Sequence, residues 1–332
     1  MCTAISFNAT THFFGRNLDL NYPFVEKIVV TPRNSLFNLK NGKEIRTKYA
    51  LYGVGIVKDN YPFYFDCANE CGVGFAGLNF PGYACFFNPK QNLINIAPYE
   101  LPLYFLGMFS SVKDIKKVLK KTNISNIPYS DSLPLSTLHY IFSDKDETIV
   151  VEQTKDGLHI YENKIGVLTN NPPFDFHLLN LANYMSCSPH EPTNKLTKKI
   201  RLVPSGKGFG SIGLPGDSTP QSRFIKAAYL LETIDKVCKK DQLTDEEKLI
   251  NVNAGFHVLN NVSMTKGECI MKDGSKEYTV YSSLYDLSSA KLFIKTYENN
   301  QLNCYELSQN DLNSLSLKII DISHEEKINI LK

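Results

Sequence analysis

Residues 2–20 read CTAISFNATTHFFGRNLDL, two apolar runs separated by a short polar segment. The polar segment is Asn8-Ala9-Thr10-Thr11, and strand-like runs on either side of such a segment predict a β-hairpin. If the turn is tight, Cys2 lies opposite about Asn17, within one residue. The hairpin therefore brings the second strand close to the amino terminus.

Cys2 is the residue of this hairpin with the most evident chemistry. Met1 is followed by a small residue, the usual condition for removal of the initiator methionine. Removal would give Cys2 both a thiol and a free α-amine, so that one residue supplies a nucleophile and a general base. The hairpin brings Arg16 and Asp19 near it, and a cation favours a thiolate while a carboxylate can hold an amine. The alternatives are a Met-Cys start without catalytic meaning and a surface ion pair between Arg16 and Asp19.

The composition excludes several classes of protein. In 332 residues, 36 basic and 34 acidic side chains leave a net charge of +2, which does not suit binding to nucleic acid or a membrane surface by bulk charge. Hydrophobic residues make up 42%, which is typical of a globular chain and not of a disordered one. We see neither a secretory signal nor an apolar run long enough to cross a membrane. We therefore expect a cytoplasmic protein without nucleic-acid partners or membrane insertion.

The eight cysteines are too sparse for a disulfide scaffold. No CxxC pair occurs and no histidine cluster accompanies them, so we expect no zinc site and no metal. For most of the cysteines other than Cys2 we expect the role of a small buried hydrophobe. The seven histidines are scattered singly, and His139, in a predicted strand, is expected to pack in the core. The sequence thus offers no Cys–His catalytic pair.

Patterning along the chain predicts many strands and few helices. We predict strands at about 26–31, 50–57, 63–68, 73–79, 137–143, 147–153, 157–162, 165–169, 277–287 and 291–299. We predict helices at about 98–109, 111–121, 174–185, 220–238 and 245–261. Thr219-Pro220 is typical of an N-cap with a first-turn proline, and Thr244 with Glu247 is typical of a capping box.

The order of these elements decides the fold class. It lacks regular βαβ alternation, which disfavours a doubly wound nucleotide-binding fold. We predict an α+β fold of two packed, mostly antiparallel sheets with helical layers outside. No linker or repeat divides the chain, so we predict one domain. Residues 186–217 are rich in Pro, Gly, Ser and Lys and are predicted to form a long loop that is functional, mobile or an assembly element. A GxGxxG match at 208–213 falls there, without the strand and helix that a dinucleotide site needs.

Five segments, in chain order, resemble the choloylglycine hydrolase family, in particular bacterial bile salt hydrolases. They are MCTAISF (1–7), FFGRNLDL (13–20), NECGVGFAGLNFPG (69–82), VLTNNPPF (167–174) and GLPGDSTPQSRF (213–224). This family, which also includes penicillin V acylases, consists of N-terminal nucleophile hydrolases. The resemblance implies a four-layer αββα sandwich for residues 2–332, with Met1 removed on maturation, and no cofactor.

The resemblance also implies roles for six residues. Cys2 would be the nucleophile, Arg16 would favour its thiolate, and Asp19 would hold the α-amino group. Asn79 and Asn170 would line the oxyanion site, since amides are suitable donors, and Arg223 would complete the polar cluster. For each asparagine, a turn residue before proline is an equally good interpretation.

By the same resemblance, the substrate is a bile salt conjugated to glycine or taurine. Asn79 favours bile salts, because penicillin V acylases often have tyrosine there. An apolar wall would hold the steroid, formed by Leu18, Leu20, Phe24, Phe63, Phe65, Tyr129 and Leu133, with ordinary core packing as the alternative. Penicillin V acylase, another N-acyl amidase or a non-catalytic binding protein are the other candidates.

Two further expectations come from the family. Its members are commonly homotetramers, and loop 186–217 is a candidate contact element. They also commonly have tryptophan where this chain has Tyr140, and the chain contains no tryptophan. Tyrosine fills much of the same volume but adds a hydroxyl that needs a partner.

Overall fold

The predicted hairpin is present in the computed structural model of the protein, which describes residues 1–238 and 244–331. Strand β1 (Cys2–Asn8) pairs antiparallel with β2 (His12–Leu20), and Cys2 lies opposite Leu18, one residue from the predicted Asn17. Both strands are buried along nearly their whole length. Because both strands are covered on both faces, polar residues of β2 such as Arg16 and Asp19 are buried together with its apolar ones.

The remaining strands extend two sheets. In chain order they are β3 (Lys27–Thr31), β4 (Leu36–Asn38), β5 (Glu44–Arg46), β6 (Leu51–Lys58), β7 (Tyr61–Asn69), β8 (Gly74–Asn79), β9 (Ile94–Ile96), β10 (Thr122–Ile124), β11 (Leu138–Ser143), β12 (Thr148–Thr154), β13 (Gly157–Glu162), β14 (Val167–Leu168), β15 (Cys269–Ile270), β16 (Lys276–Asp286), β17 (Lys291–Thr296), β18 (Asn303–Glu306) and β19 (Lys318–Asp321). The three-residue strands β4, β5, β9 and β10 were not predicted, because three residues are too few for an alternating pattern.

Within the described residues, a seven-stranded sheet has the order β14-β1-β2-β16-β17-β18, with β15 beside β16. An eight-stranded sheet has the order β13-β12-β11-β8-β7-β6-β3-β19. Pairing within both sheets is antiparallel. Two small pairs, β4-β5 and the parallel β9-β10, lie apart from them. The hairpin therefore occupies the interior of the first sheet.

Helices cover the outer faces of the two sheets. They are α1 (Leu101–Met108), α2 (Val112–Leu119), α3 (Phe174–Asn180), α4 (Pro220–Thr233), α5 (Asp245–Asn261) and α6 (Gln309–Leu312), with 3-10 turns at Pro98–Glu100, Leu181–Tyr184 and Phe209–Ser211. Helices α4 and α5 contact the seven-stranded sheet, and α1 contacts the eight-stranded one. One core contains inner-face residues of both sheets together with α4 and α5, and a second lies under α1 and α2. The predicted α+β, four-layer αββα sandwich is confirmed.

Local capping signals place the helix starts correctly. Thr219 Oγ1 accepts a hydrogen bond from the Ser222 N–H, and the Thr244 and Glu247 side chains satisfy each other's backbone N–H groups as a capping box. The end of α4 was predicted less well. It ends at Thr233, five residues before the predicted 238, because Ile234 adopts an extended conformation with ψ of 137°.

Residues 186–217 contain no strand or α-helix, as their composition predicted, and include the GxGxxG match. All eight cysteines are free thiols. The expectation that most of them are buried was wrong: only Cys2 and Cys67 are, while Cys71, Cys238 and Cys304 are exposed. In the part of the chain that the structure describes, no helix has the length and apolarity needed to cross a membrane. The predicted domain 2–332 includes residues 239–243 and 332, which lie outside the described residues.

Candidate active site

Cys2 stands at the open end of the hairpin and is held at three of its atoms. Its Sγ accepts a hydrogen bond from Arg16 Nη2 at 2.7 Å. Its backbone N–H donates to Asn170 Oδ1 at 2.9 Å, and its carbonyl oxygen accepts from Arg223 Nη1 at 2.5 Å. Four of the six predicted site residues therefore meet at one point, although they come from β1, β2, α4 and the segment after β14.

Arg16 links the two sheets beneath the sulfur. It lies on β2, yet its Nη1 donates to the carbonyl oxygens of Phe65 and Gly77, both at 3.0 Å and both on the opposite sheet. Burial by itself lowers the pKa of Arg16, but Cys2, Tyr281 and Asp66 raise it, and the net pKa lies above its ordinary value. Arg16 is thus a buried permanent cation on the thiol. The alternative of a surface ion pair is wrong, because Arg16 and Asp19 both have 0% exposure.

Asp19 offers a buried carboxylate oxygen next to the amino terminus. Its Oδ1 accepts from Thr279 Oγ1 at 2.6 Å. Its Oδ2 has no hydrogen-bond partner among the described residues and lies 3.9 Å from Arg223 Nη1. The Met1 amine donates to the main-chain oxygen of Asp19 at 2.7 Å and forms an ion pair with Glu277. Burial lowers the pKa of this amine, against the opposing effects of Cys2 and Asp19.

Asn170 is oriented by its neighbours. Its Oδ1 accepts from both the Cys2 N–H and Arg223 Nη2, the latter at 2.7 Å, so its Nδ2 must face the other way, where it donates to the Asn79 carbonyl at 2.7 Å. Asn79 is half-buried at the end of β8 and lines the same cleft as Cys2. Arg223 also donates to Thr3 Oγ1 at 2.6 Å. Burial lowers the pKa of Arg223, opposed by Asp19 and Cys2.

An apolar cleft of about 310 Å³ opens from Cys2. All seven side chains predicted for the steroid wall line it: Leu18, Leu20, Phe24, Phe63, Phe65, Tyr129 and Leu133. The aromatic rings pack on one another, with centroids 5.5 Å apart for Phe24–Phe65 and 4.9 Å apart for Phe63–Tyr129. Their part in binding a steroid stays a prediction, because a side chain can line the cleft and also pack in the core. Leu18, for example, also belongs to the core.

Sequence reasoning missed some residues of the site and its surroundings. Tyr99 lines the cleft but lies in the segment predicted as the start of a helix. Asp66 lies beneath Arg16 at 3.8 Å from its Nε. The available signal was a lone carboxylate in the otherwise apolar strand YPFYFDCAN, because a buried charge requires a partner.

Two further predictions concern side chains beside the cleft. Tyr140 is buried and stacks on Phe75, but its hydroxyl has no hydrogen-bond partner among the described residues. His139 is fully buried between Glu152 Oε1, at 2.9 Å, and the Thr169 carbonyl, at 3.1 Å. His139 is therefore a packing residue, as predicted.

The comparisons with known proteins agree with this geometry. The family model for linear amide C–N hydrolases of the choloylglycine hydrolase family matches residues 2–320. The chain is 40% identical to the bile salt hydrolase/transferase of Lactiplantibacillus plantarum, over 96% of this chain and 95% of that protein. It is 39% identical to the bile salt hydrolase/transferase of Clostridium perfringens, over 99% of each.

Solved structures give the same result. A crystal structure of a mutant conjugated bile acid hydrolase from Clostridium perfringens superposes with a TM-score of 0.91 at 37% identity, covering 100% of both chains. A penicillin V acylase from Agrobacterium tumefaciens, at 19% identity and a TM-score of 0.76 over 96% of this chain and 91% of that one, shares the fold. By sequence match and structural similarity over nearly its whole length, the chain belongs to the choloylglycine hydrolase family of linear amide C–N hydrolases.

Proposed function

We propose that the protein hydrolyses the amide bond that joins a bile acid to glycine or taurine, with Cys2 as the nucleophile. One observation carries the proposal: the Cys2 sulfur, bound by a buried arginine, stands at the polar end of an apolar, aromatic-lined cleft. A conjugated bile salt has the complementary shape, a rigid apolar body with an amide near its charged end. The names of the relatives support this choice of substrate.

Removal of Met1 would complete the site. The Cys2 nitrogen, which now donates to Asn170 Oδ1, would become an α-amine, and Asp19 Oδ2 is an acceptor with no present partner among the described residues. Burial already lowers the pKa of the Met1 amine. A Cys2 amine deeper in the same site is subject to the same effect, which favours the neutral form that can accept a proton.

The reaction then proceeds through an acyl-enzyme. The α-amine takes the thiol proton, the sulfur attacks the amide carbonyl, and amide groups of Asn79 and Asn170 stabilise the oxyanion. The C–N bond breaks, the proton passes to the departing glycine or taurine, and a thioester remains. The amine next deprotonates a water molecule, which releases the free bile acid and restores the thiol. The scheme uses no metal or organic cofactor.

The test measures hydrolysis of glycocholate, taurocholate and penicillin V by native protein, Cys2→Ala and the control Cys71→Ala, which changes an exposed thiol. Intact mass spectrometry establishes whether Met1 has been removed. We expect bile salts to be preferred, Cys2→Ala to be inactive but folded, and the control to be unaffected. Turnover by Cys2→Ala would exclude the mechanism, while a preference for penicillin V would exclude the substrate.

We also propose that the protein is a single-domain, cytoplasmic homotetramer. Free thiols suit a reducing compartment. In loop 186–217 the side chains of Leu196, Ile200 and Val203 are exposed, which suits a contact between subunits. Size-exclusion chromatography with light scattering tests this proposal, with Val203→Glu expected to weaken the assembly. A native monomer at micromolar concentration would contradict it.

A further inference from the structure

Asp66 places a buried carboxyl group at the interface of the two sheets. It lies on β7 of the eight-stranded sheet and has 0% exposure. Three hydroxyls of β16, on the other sheet, donate to its carboxylate. They are Tyr281 to Oδ1, Ser283 to Oδ2 at 2.8 Å, and Tyr285 to Oδ2 at 2.6 Å. Burial raises the pKa of the Asp66 carboxyl above its ordinary value, while Arg16 and these three hydroxyl donors act in the opposite direction and favour the ionised form.

The carboxylate faces the Arg16 guanidinium at a different nitrogen from the one that contacts the sulfur. Its Oδ1 lies 3.8 Å from Arg16 Nε, an ion-pair distance too long for a hydrogen bond, while Arg16 Nη2 contacts Cys2 Sγ at 2.7 Å. Sulfur, guanidinium and carboxylate are thus buried neighbours joined through Arg16. In a site of low polarity, the field at the sulfur depends on the carboxylate as well as on the guanidinium.

We propose that Asp66 is a positioning residue for Arg16, which keeps the guanidinium on the Cys2 sulfur and offsets part of its positive charge. The proposal rests on the proposed role of Cys2 as nucleophile. The offset matters because a thiolate that is stabilised too strongly is a weaker nucleophile. Asp66 would therefore keep the sulfur ionisable yet reactive.

Other charged and titratable groups surround Cys2, Arg16 and Asp66 and are kept constant in the test. Asp19 on β2 interacts with Arg16 and with the Met1 amine, and Arg223 on α4 interacts with Cys2. Cys67 lies beside Asp66 on β7, and Glu26 acts on Tyr281. The amino-terminal amine is the remaining group near Cys2.

The test is the pH dependence of Cys2 alkylation by iodoacetamide, with kcat and KM for glycocholate, on protein without Met1. Asp66→Asn keeps the shape and removes the charge. We expect the pH midpoint of alkylation to fall by about 0.5–1 unit and kcat to fall about tenfold, with KM changed less than about twofold. Asp311→Asn is the matched control. Asp311 is also a buried carboxylate that accepts from a tyrosine and a serine and pairs with a lysine, but it lies on α6.

A second variant should shift the pH midpoint of alkylation in the opposite direction. Tyr281→Phe removes the donor on Oδ1 and leaves more negative charge facing Arg16, so the alkylation midpoint should rise. A purely structural role would give the same stability loss in both variants and move neither midpoint. An unchanged midpoint in Asp66→Asn overturns the proposal, and if that variant does not fold, an unchanged midpoint in Tyr281→Phe does so. Native protein that alkylates at Cys2 but leaves bile salts intact would refute the proposed function instead.

Discussion

The two ends of the β1–β2 hairpin both bury polar side chains, but in different ways. At the turn end, His12 Nε2 lies 2.7 Å from Ser143 Oγ and its Nδ1 lies 2.6 Å from Asn8 Oδ1. Ser6 Oγ contacts Ser143 Oγ at 2.7 Å and Thr148 Oγ1 at 3.0 Å. Burial lowers the pKa of His12 to about 4, so this network is neutral at pH 7 and its members satisfy one another.

The open end is charged and incomplete. Arg16, Asp19 and Arg223 are buried there, and Asp19 Oδ2 lacks a hydrogen-bond partner among the described residues. A neutral network in which every hydrogen bond is made stabilises the fold. Buried charges with an acceptor that lacks a partner instead reduce stability, so we interpret the open end as a site of chemical function. The comparison predicts that changes at the open end reduce activity most and changes at the turn end reduce stability most.

The largest effect is expected from Arg16→Gln. The variant removes the cation on the sulfur and leaves Asp66 without its counter-ion, so kcat/KM should fall at least about a thousandfold, or about 4 kcal/mol. Steady-state hydrolysis of glycocholate measures the loss. Arg46→Gln, at an exposed site on β5, is the control and should behave like the native protein. Activity within tenfold of native for Arg16→Gln would refute the prediction that changes at the open end reduce activity most.

Asn170→Ala should have the next largest effect. It removes the acceptor for the Cys2 nitrogen and one of the two amides proposed to stabilise the oxyanion, and loss of an oxyanion donor reduces kcat about 100- to 1,000-fold. Single-turnover measurements of acylation test the prediction. Asn126→Ala, which changes an exposed asparagine, should leave the rate unchanged. A change in KM alone would show that Asn170 only binds substrate.

At the turn end, His12→Gln should change stability and its pH dependence. Because the pKa of His12 is about 4 in the folded state and 6.5 when unperturbed, the unfolded chain binds a proton first as pH falls. Through this residue, the free energy of unfolding of the native protein should therefore fall by about 3 kcal/mol between pH 6.5 and 4.

The His12→Gln variant has no group that titrates at this position, so it should not show this pH-dependent loss of stability. Urea unfolding should show it less stable than native protein by about 1–3 kcal/mol at pH 7, with the gap closing toward pH 4. Its kcat/KM at pH 7 should stay within about twofold of native. A gap independent of pH would mean that His12 is not buried in its neutral form.

The smallest effect is expected from Tyr140→Phe, in the wall of the cleft. Removing a buried hydroxyl that has no protein partner should stabilise the fold by about 1 kcal/mol. Tyr285→Phe is the matched comparison and should destabilise, because its hydroxyl donates to Asp66. Urea unfolding of both variants tests this, and destabilisation by Tyr140→Phe would show that its hydroxyl has a partner such as water.

Much of the fold was predictable because its signals are local. The polar turn after β1 set the register of Cys2 to within one residue, and the Thr219 and Thr244 caps placed the starts of α4 and α5. The end of α4 and the three-residue strands were not predictable, since they depend on packing against neighbouring elements. For the site, the residues of the hairpin supplied Cys2, Arg16 and Asp19, whereas Arg223 came from the family resemblance alone.

The sequence by itself determined the hairpin that brings Cys2, Arg16 and Asp19 together and the starts of α4 and α5, because turns and caps act over a few residues. Only the tertiary structure decided how those residues are coupled. Arg16 is clamped by carbonyls of the opposite sheet, and Asp66 faces it because the two sheets pack there. Such contacts join segments that are far apart in the chain. The charges interact strongly only when they are buried, and they become buried only once the two sheets have packed together.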